Sequence, residues 1–260
     1  MVHKWNVTIP ELTGTKKRRA YIYLPESYKR FPKKRYPVLY MFDGHNLFFD
    51  DDATYGKSWG LKDYMDRTKT QLIIVAVECN HDPDNGRLKE YSPYTFFDPD
   101  FGRVEGKGKI TMDWIVNTLK PYIDQKYRTL SDRDNTMIAG SSMGGLMSLY
   151  AILEYNQYFS RAAALSPSIW TAPEHLEALI RKAKLHPDTI LYMDYGSEEL
   201  KNKQALHMTS RYSRMTSLLM NKGIYVESRI VPWGAHCEAS WEKQLPHVMS
   251  TLLYPENTEI

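Results

Sequence analysis

The sequence predicts an α/β fold, a mainly parallel sheet with helices on both faces and an antiparallel opening. Three observations carry that expectation. Short apolar runs of strand length alternate with longer stretches of helical periodicity. One junction, Met137 to Leu146, passes from apolar residues through Gly140-Ser141-Ser142-Met143-Gly144-Gly145 into a helix-forming run. The length of 260 residues suffices for one core, since a chain of about this size buries around three quarters of its unfolded surface.

In chain order, Lys4 to Ile9 and Arg18 to Leu24 are rich in β-branched and aromatic residues around Leu12-Thr13-Gly14, and read as the antiparallel opening. Apolar runs at Tyr36 to Phe42, Gln71 to Val77, Thr136 to Ala139, Ala162 to Leu165, Ile190 to Met193 and Tyr225 to Val231 read as parallel strands covered on both faces. Helical patterns lie between and after them at Leu61 to Arg67, Met112 to Lys126, Leu146 to Tyr155, Glu174 to Lys184, Gln204 to Asn221 and Glu238 to Leu253. Asn80 to Lys109 exceeds an ordinary connection and is rich in Asp, Gly, Pro and Tyr, so a lid or binding insertion is expected at about 80–109 within a single domain spanning 1–260.

Net charge is only +3 with 25% charged residues, which leaves no electrostatic footprint for nucleic acid. Lys16-Lys17-Arg18-Arg19 and Lys33-Lys34-Arg35 flank strands and read as solvated strand ends. No run has the length of a membrane span, and Met1 to Asn6 lacks the pattern of a secretory signal, so a cytoplasmic setting is expected. Two cysteines, Cys79 and Cys237, are too few for a disulfide framework and are expected to be reduced thiols. Nothing in the sequence specifies an oligomeric state.

Gly140, Ser142 and Gly144 form G-x-S-x-G between a strand and a helix, the setting of a nucleophile elbow in an α/β-hydrolase fold. There the acid and the base follow the serine in chain order. Carboxylates occur at a strand exit as Asp194, Glu198 and Glu199, and His236 sits in the last strand-to-helix loop. His3, His81, His175, His186, His207 and His247 lie in polar loops or on helices without that context. Acyl transfer needs two donors for the oxyanion. One is expected from the amide of Met143, after the nucleophile, and the other from the amide of His45, in the turn Asp43-Gly44-His45 after an early strand. Trp170 and Trp233 lie in loops beyond strands and are candidate walls of a substrate pocket. Asp82-Pro83-Asp84-Asn85-Gly86 departs from a calcium loop at its fifth position, and no CxxC or HExxH spacing occurs, so neither metal nor cofactor is expected.

Five segments together, Tyr36 to Gly44, Leu119 to Thr129, Ala139 to Leu146, Ala164 to Trp170 and Gly234 to His236, resemble the "Putative esterase" family of α/β-hydrolases over about residues 18 to 253. That family includes feruloyl and acetyl-xylan esterases, siderophore trilactone esterases, S-formylglutathione hydrolases and mycolyltransferases. The resemblance implies Ser142 as nucleophile, His236 as base and the amides of His45 and Met143 as oxyanion donors. Its acid commonly stands three residues after a strand-end glycine, which points to Glu199 after Gly196, a glutamate where aspartate is commoner. The activity implied is a serine esterase acting on a small-molecule or oligosaccharide ester, with acetyl or hydroxycinnamoyl groups on carbohydrates first. A siderophore trilactone or a general short-chain ester comes second. A non-catalytic hydrolase-fold binding protein could dispense with Ser142 or His236, and both are present.

Overall fold

A computed structural model describes residues 1–200 and 203–254, with the side chains of residues 200 and 203–207 outside the description. The first two strands, β1 (Val2–Thr8) and β2 (Lys17–Tyr23), pair antiparallel with Val2 opposite Tyr23. Their connection is a one-turn helix, α1 (Pro10–Thr13), closed by Gly14 at φ 56° where only a turn was expected. There follow α2 (Ser27–Arg30), β3 (Val38–Met41), α3 (Leu61–Thr68), β4 (Ile73–Val77) and α4 (Gly86–Glu90). A small hairpin of β5 (Phe96–Asp98) and β6 (Gly102–Val104) leads to α5 (Gly108–Trp114), which continues through a wide π-type stretch, Ile115–Leu119, into α6 (Lys120–Lys126). The second half repeats strand and helix: β7 (Thr136–Ser141), α7 (Met143–Glu154), β8 (Arg161–Leu165), α8 (Pro173–Lys182), β9 (Ile190–Gly196), α9 (Lys203–Met220), β10 (Tyr225–Val231) and α10 (Glu238–Leu252).

Eight strands form one sheet in the order β1-β2-β4-β3-β7-β8-β9-β10, in which β2 alone runs against its neighbours. Alternate residues feed two core layers, as the period of a strand requires. Val38, Tyr40, Ile73, Val75 and Ile138 face the layer packed by α5 to α9. Leu39, Met41, Ile74, Ala76 and Met137 face the layer of α3 and α10. The sequence-based expectation of strands covered on both faces fails at β10. It lies at the sheet edge with β9 as its neighbour and is largely half-buried, which accounts for the polar Glu227, Ser228 and Arg229 within it.

After β3 the chain crosses to β4 on one side, and later to β7 on the other. The connections therefore diverge between β3 and β7, leaving a crevice beyond their C-terminal ends where α/β sheets place ligands. The segment 80–109 borders this crevice and is tied to the sheet by two arginine–carboxylate pairs. Arg18 in β2 donates to both oxygens of Glu90 in α4 at 2.6 Å, with both side chains buried. Arg87 in α4 donates to both oxygens of Asp43 after β3 at 2.8 Å. The Asp82 to Gly86 stretch is a turn whose polar side chains take neighbouring amides, Asn80 Oδ1 from Asp82 and Asp82 Oδ1 from Asp84, each at 3.0 Å. No described helix is long and apolar enough to cross a membrane.

Removing one partner of a buried ion pair strands the other charge. Arg18→Met should lower the free energy of unfolding by about 3–5 kcal/mol, measured by urea denaturation. Arg18→Met combined with Glu90→Leu should recover most of that loss. A single variant as stable as the native chain would refute the anchoring role.

Candidate active site

The turn from β7 into α7 sets Ser142 at φ 57°, ψ −122°, a conformation that costs a non-glycine residue on the order of 1–3 kcal/mol and persists only where the surroundings enforce it. They do so through the backbone. The Ser142 amide donates to Leu165 O at 2.9 Å, and its carbonyl accepts from Leu146 at 3.0 Å and Ser168 at 3.1 Å. The surrounding glycines are steric requirements. A Cβ on Gly140 would lie 2.7 Å from the backbone of Gly144, one on Gly144 would lie 2.9 Å from Phe42 Cβ, and one on Gly145 would lie 2.7 Å from Leu165 O. Ser142 is left half-buried, with Oγ 3.4 Å from Ser168 Oγ. Met143 opens α7, so its amide is among the first N–H groups, which have no acceptor within the helix.

His236 and Glu199 meet through the exits of the neighbouring strands β9 and β10. His236 Nδ1 lies 2.6 Å from Glu199 Oε2. The other carboxylate oxygen accepts from Ser166 Oγ at 2.7 Å and from the Gly196 amide at 2.9 Å. Burial alone would raise this carboxyl, but hydrogen bonds from His236, Ser166 and Gly196 outweigh it and hold Glu199 below its ordinary value. With Glu199 ionised, the hydrogen on the imidazole is assigned to Nδ1, which leaves Nε2 as an acceptor. Trp241 closes one side, its ring edge-on to His236 at 5.1 Å and its indole N–H donating to Ser166 Oγ at 3.1 Å.

Of the three carboxylates considered at this strand exit, Glu199 is the one against His236. Pairing with β10 extends β9 past its predicted end at Met193 to Gly196, opposite Val231, so Asp194 lies inside the sheet. There it accepts from Tyr192 Oη at 2.8 Å and from the Ser166 amide at 3.1 Å, and burial pushes its carboxyl up to about 6. The Glu198 amide donates to Gly234 O at 2.9 Å, which helps to join the two loops.

Beyond β3, Asp43 adopts φ 54° and leads into a 3-10 turn, Gly44–Asn46. A Cβ on Gly44 would lie 2.9 Å from the Tyr21 ring and 3.0 Å from the Val77 amide, so this turn also needs glycine. Burial would raise the Asp43 carboxyl, and the Arg87 pair instead holds it below its ordinary value. His45 is buried, with Nε2 3.0 Å from Thr54 Oγ1. Its amide is the second of the turn, where N–H groups again lack an internal acceptor.

Ser142, His45 and His236 line one open cleft of about 780 Å³, together with Tyr55, Lys57 and Phe101. Among the described residues no direct hydrogen bond joins Ser142 to His236. Trp170 and Trp233 are not among the residues lining this cleft. Trp170 packs edge-on against Phe96 at 5.6 Å, and Trp233 is 83% exposed at φ 59°. The cleft's aromatic lining comes instead from Tyr55 and Phe101, the latter from the 80–109 segment, beside Trp241. Sequence reading missed these two and also Ser166 and Trp241, because none carries a motif. Ala-Leu-Ser-Pro at 164–167 was a signal for Ser166 only as a resemblance.

The "Putative esterase" family model matches residues 13–252 of the chain. A Bacillus subtilis protein described as "Uncharacterized protein YbbA" is 29% identical over 214 residues, covering 79% of each chain. Among solved structures, a ferulic acid esterase superposes with a TM-score of 0.70 at 20% identity over 97% of both chains. A siderophore hydrolase, EstA from Aspergillus nidulans, gives 0.73 at 16% identity over 98% of this chain and 95% of its own. At these identities the two structures establish the α/β-hydrolase fold.

A carboxyl held below its ordinary value stabilises the folded chain above the usual carboxylate range, and that contribution disappears as pH falls through the folded value. The stability difference between the native chain and Glu199→Gln should therefore be largest near neutral pH and shrink on acidification below about pH 4.3. Urea unfolding across that range measures it. A difference that grows on acidification would contradict the assignment.

Proposed function

The chain belongs to the "Putative esterase" family, and from that premise we propose that it is a serine esterase that hydrolyses carboxylic esters through an acyl-enzyme. The observation that carries the reading is the 2.6 Å pair of His236 and Glu199, opening on the same cleft as the strained Ser142. Ser142 Oγ attacks the ester carbonyl while His236 Nε2 takes its proton, and Glu199 holds the imidazole in that tautomer and balances its charge. The oxyanion rests on the amides of His45 and Met143. Collapse expels the alcohol, protonated by His236, and a water activated by the same nitrogen releases the acid. His236 is 46% exposed at its side chain, so it has room to close on Ser142 as an ester binds.

Acetyl or hydroxycinnamoyl esters on carbohydrates remain the proposed substrates. Support comes from the likeness to a ferulic acid esterase and from the aromatic faces of Tyr55 and Phe101, which suit an aryl acyl group or a sugar ring. The aromatic role expected of Trp170 and Trp233 passes to these two residues. The likeness to EstA supports a second reading, a siderophore ester.

Ser142→Ala should reduce turnover of p-nitrophenyl acetate on the order of 10⁶-fold and Glu199→Ala on the order of 10⁴-fold, with Glu198→Ala close to native. Substantial turnover by a folded Ser142→Ala variant would sink the mechanism.

For the substrate, a feruloylated xylo-oligosaccharide should exceed methyl ferulate in kcat/KM. Tyr55→Ala and Phe101→Ala should each shrink that preference by about 1–3 kcal/mol, with Trp170→Ala and Trp233→Ala as controls. Cleavage of a cyclic trilactone with little action on the feruloylated sugar would establish the siderophore reading instead.

A further inference from the structure

We infer that His45, Cys79 and His81 form a binding site for one thiophilic divalent cation, of the Zn²⁺ class, on the wall of the cleft that holds Ser142. No sequence spacing announces it, because one ligand follows β3 and the other two follow β4, and the parallel pairing of those strands brings their exits together. One donor atom from each of the three residues lies within 4.8 Å of the other two, and all three residues line the cleft.

The imidazole nitrogens are placed for a cation, whereas burial raises the Cys79 thiol above its ordinary value, so a bound cation must displace its proton. His45 Nε2 lies 3.0 Å from Thr54 Oγ1, while its Nδ1 is buried with no hydrogen-bond partner on a residue only 6% exposed. A buried nitrogen without a partner is a standing cost in the empty site, and a metal bond would remove it. His81 Nδ1 lies 3.9 Å from Cys79 Sγ, and Glu78 Oε2 stands 3.9 Å from its other ring nitrogen. Thr54 thus gives His45 an outer hydrogen-bond partner of the kind that orients zinc-bound histidines, and His81 turns Nδ1 toward the thiol with Glu78 near its other nitrogen. Zn–S of about 2.3 Å and Zn–N of about 2.0–2.1 Å imply tetrahedral ligand separations near 3.5 Å, so the donors must close in by roughly 1 Å. His81, half exposed and in a loop, can supply much of that movement. Binding forms one metal–sulfur and two metal–nitrogen bonds and releases the Cys79 thiol proton to solvent. The fourth position is left to water or an ester oxygen from the cleft. The ligands Asn, Asp or Glu, which would favour calcium or magnesium, are not in the set, and the thiol with two imidazoles selects a softer ion.

Binding itself is independent of the esterase reading, whereas its effect on turnover rests on it, since His45 also carries a proposed oxyanion amide. The test is calorimetric titration of the chelator-treated full chain with Zn²⁺, with Co²⁺ as a spectroscopic probe. One equivalent should bind, and the Co²⁺ form should show sulfur-to-metal charge transfer. His81→Ala and Cys79→Ser should each weaken binding more than ~10-fold, and Thr54→Val by about 10–100-fold. Ser142→Ala and Cys237→Ser should bind as the native chain does. Because His81 is exposed, its variant tests the site even if Cys79→Ser fails to fold. Zn²⁺ should also slow ester turnover by the native chain and spare His81→Ala. No saturable binding, unchanged binding in His81→Ala, or loss of binding in Cys237→Ser would overturn the assignment.

Discussion

The approach of Gly196 to Gly234 is the contact on which the candidate site depends. A Cβ on Gly196 would stand 2.2 Å from Gly234 O, so the two loops touch backbone to backbone. That contact follows from the parallel register that sets Gly196 opposite Val231. It is reinforced by the Glu198 amide on Gly234 O and by the Trp233 amide on Ser197 Oγ at 2.8 Å. With the loops locked in this way, Glu199 and His236 need only short excursions to meet at 2.6 Å. Any side chain in place of either glycine would force the loops apart and lengthen that bond first.

From this contact the ordering spreads inward. Glu199 receives the Ser166 hydroxyl, Ser166 receives the Trp241 indole N–H, and Trp241 packs against both His236 and the buried Trp59. Ser166 itself is held at φ 42°, with its amide shared between the carbonyl and the carboxylate of Asp194. The buried Asp194 therefore acts as a brace for the loop after β8 and has no direct part in the Glu199–His236 pair. The strained backbones of Ser142, Ser166 and Trp233 all lie at exits of the parallel strands β7, β8 and β10, where a closely packed sheet can offset local strain.

The opposite wall is built on different physics. There, arginine–carboxylate pairs hold α4 and the turn after β3 in place, and the buried Asp43 paired with the half-buried Arg87 makes that wall stiff near the sheet. Toward solvent it carries Tyr55, Phe101 and His81, which are exposed enough to meet a ligand. Rigid below and adaptable above, this wall is the place where substrate choice and cation binding would both be decided.

Alternation of apolar runs and helical periodicity was enough to give the layered α/β fold, because strand and helix periods are local properties of the chain. The elbow was legible for the same reason: the glycines, the serine and the helix start lie within a few residues. His236 could be read from its loop position, whereas Glu199 stood out from Glu198 and Asp194 only by resemblance. Three carboxylates within six residues present the same local chemistry, and it is the extension of β9 to Gly196, through pairing with β10, that buries Asp194 and turns Glu199 toward His236. Tertiary structure alone decided that Tyr55 and Phe101, rather than Trp170 and Trp233, line the cleft, and that His45 meets Cys79 and His81. Those groupings join residues distant in the chain, and such proximity is set by sheet order and loop packing, which no local pattern encodes.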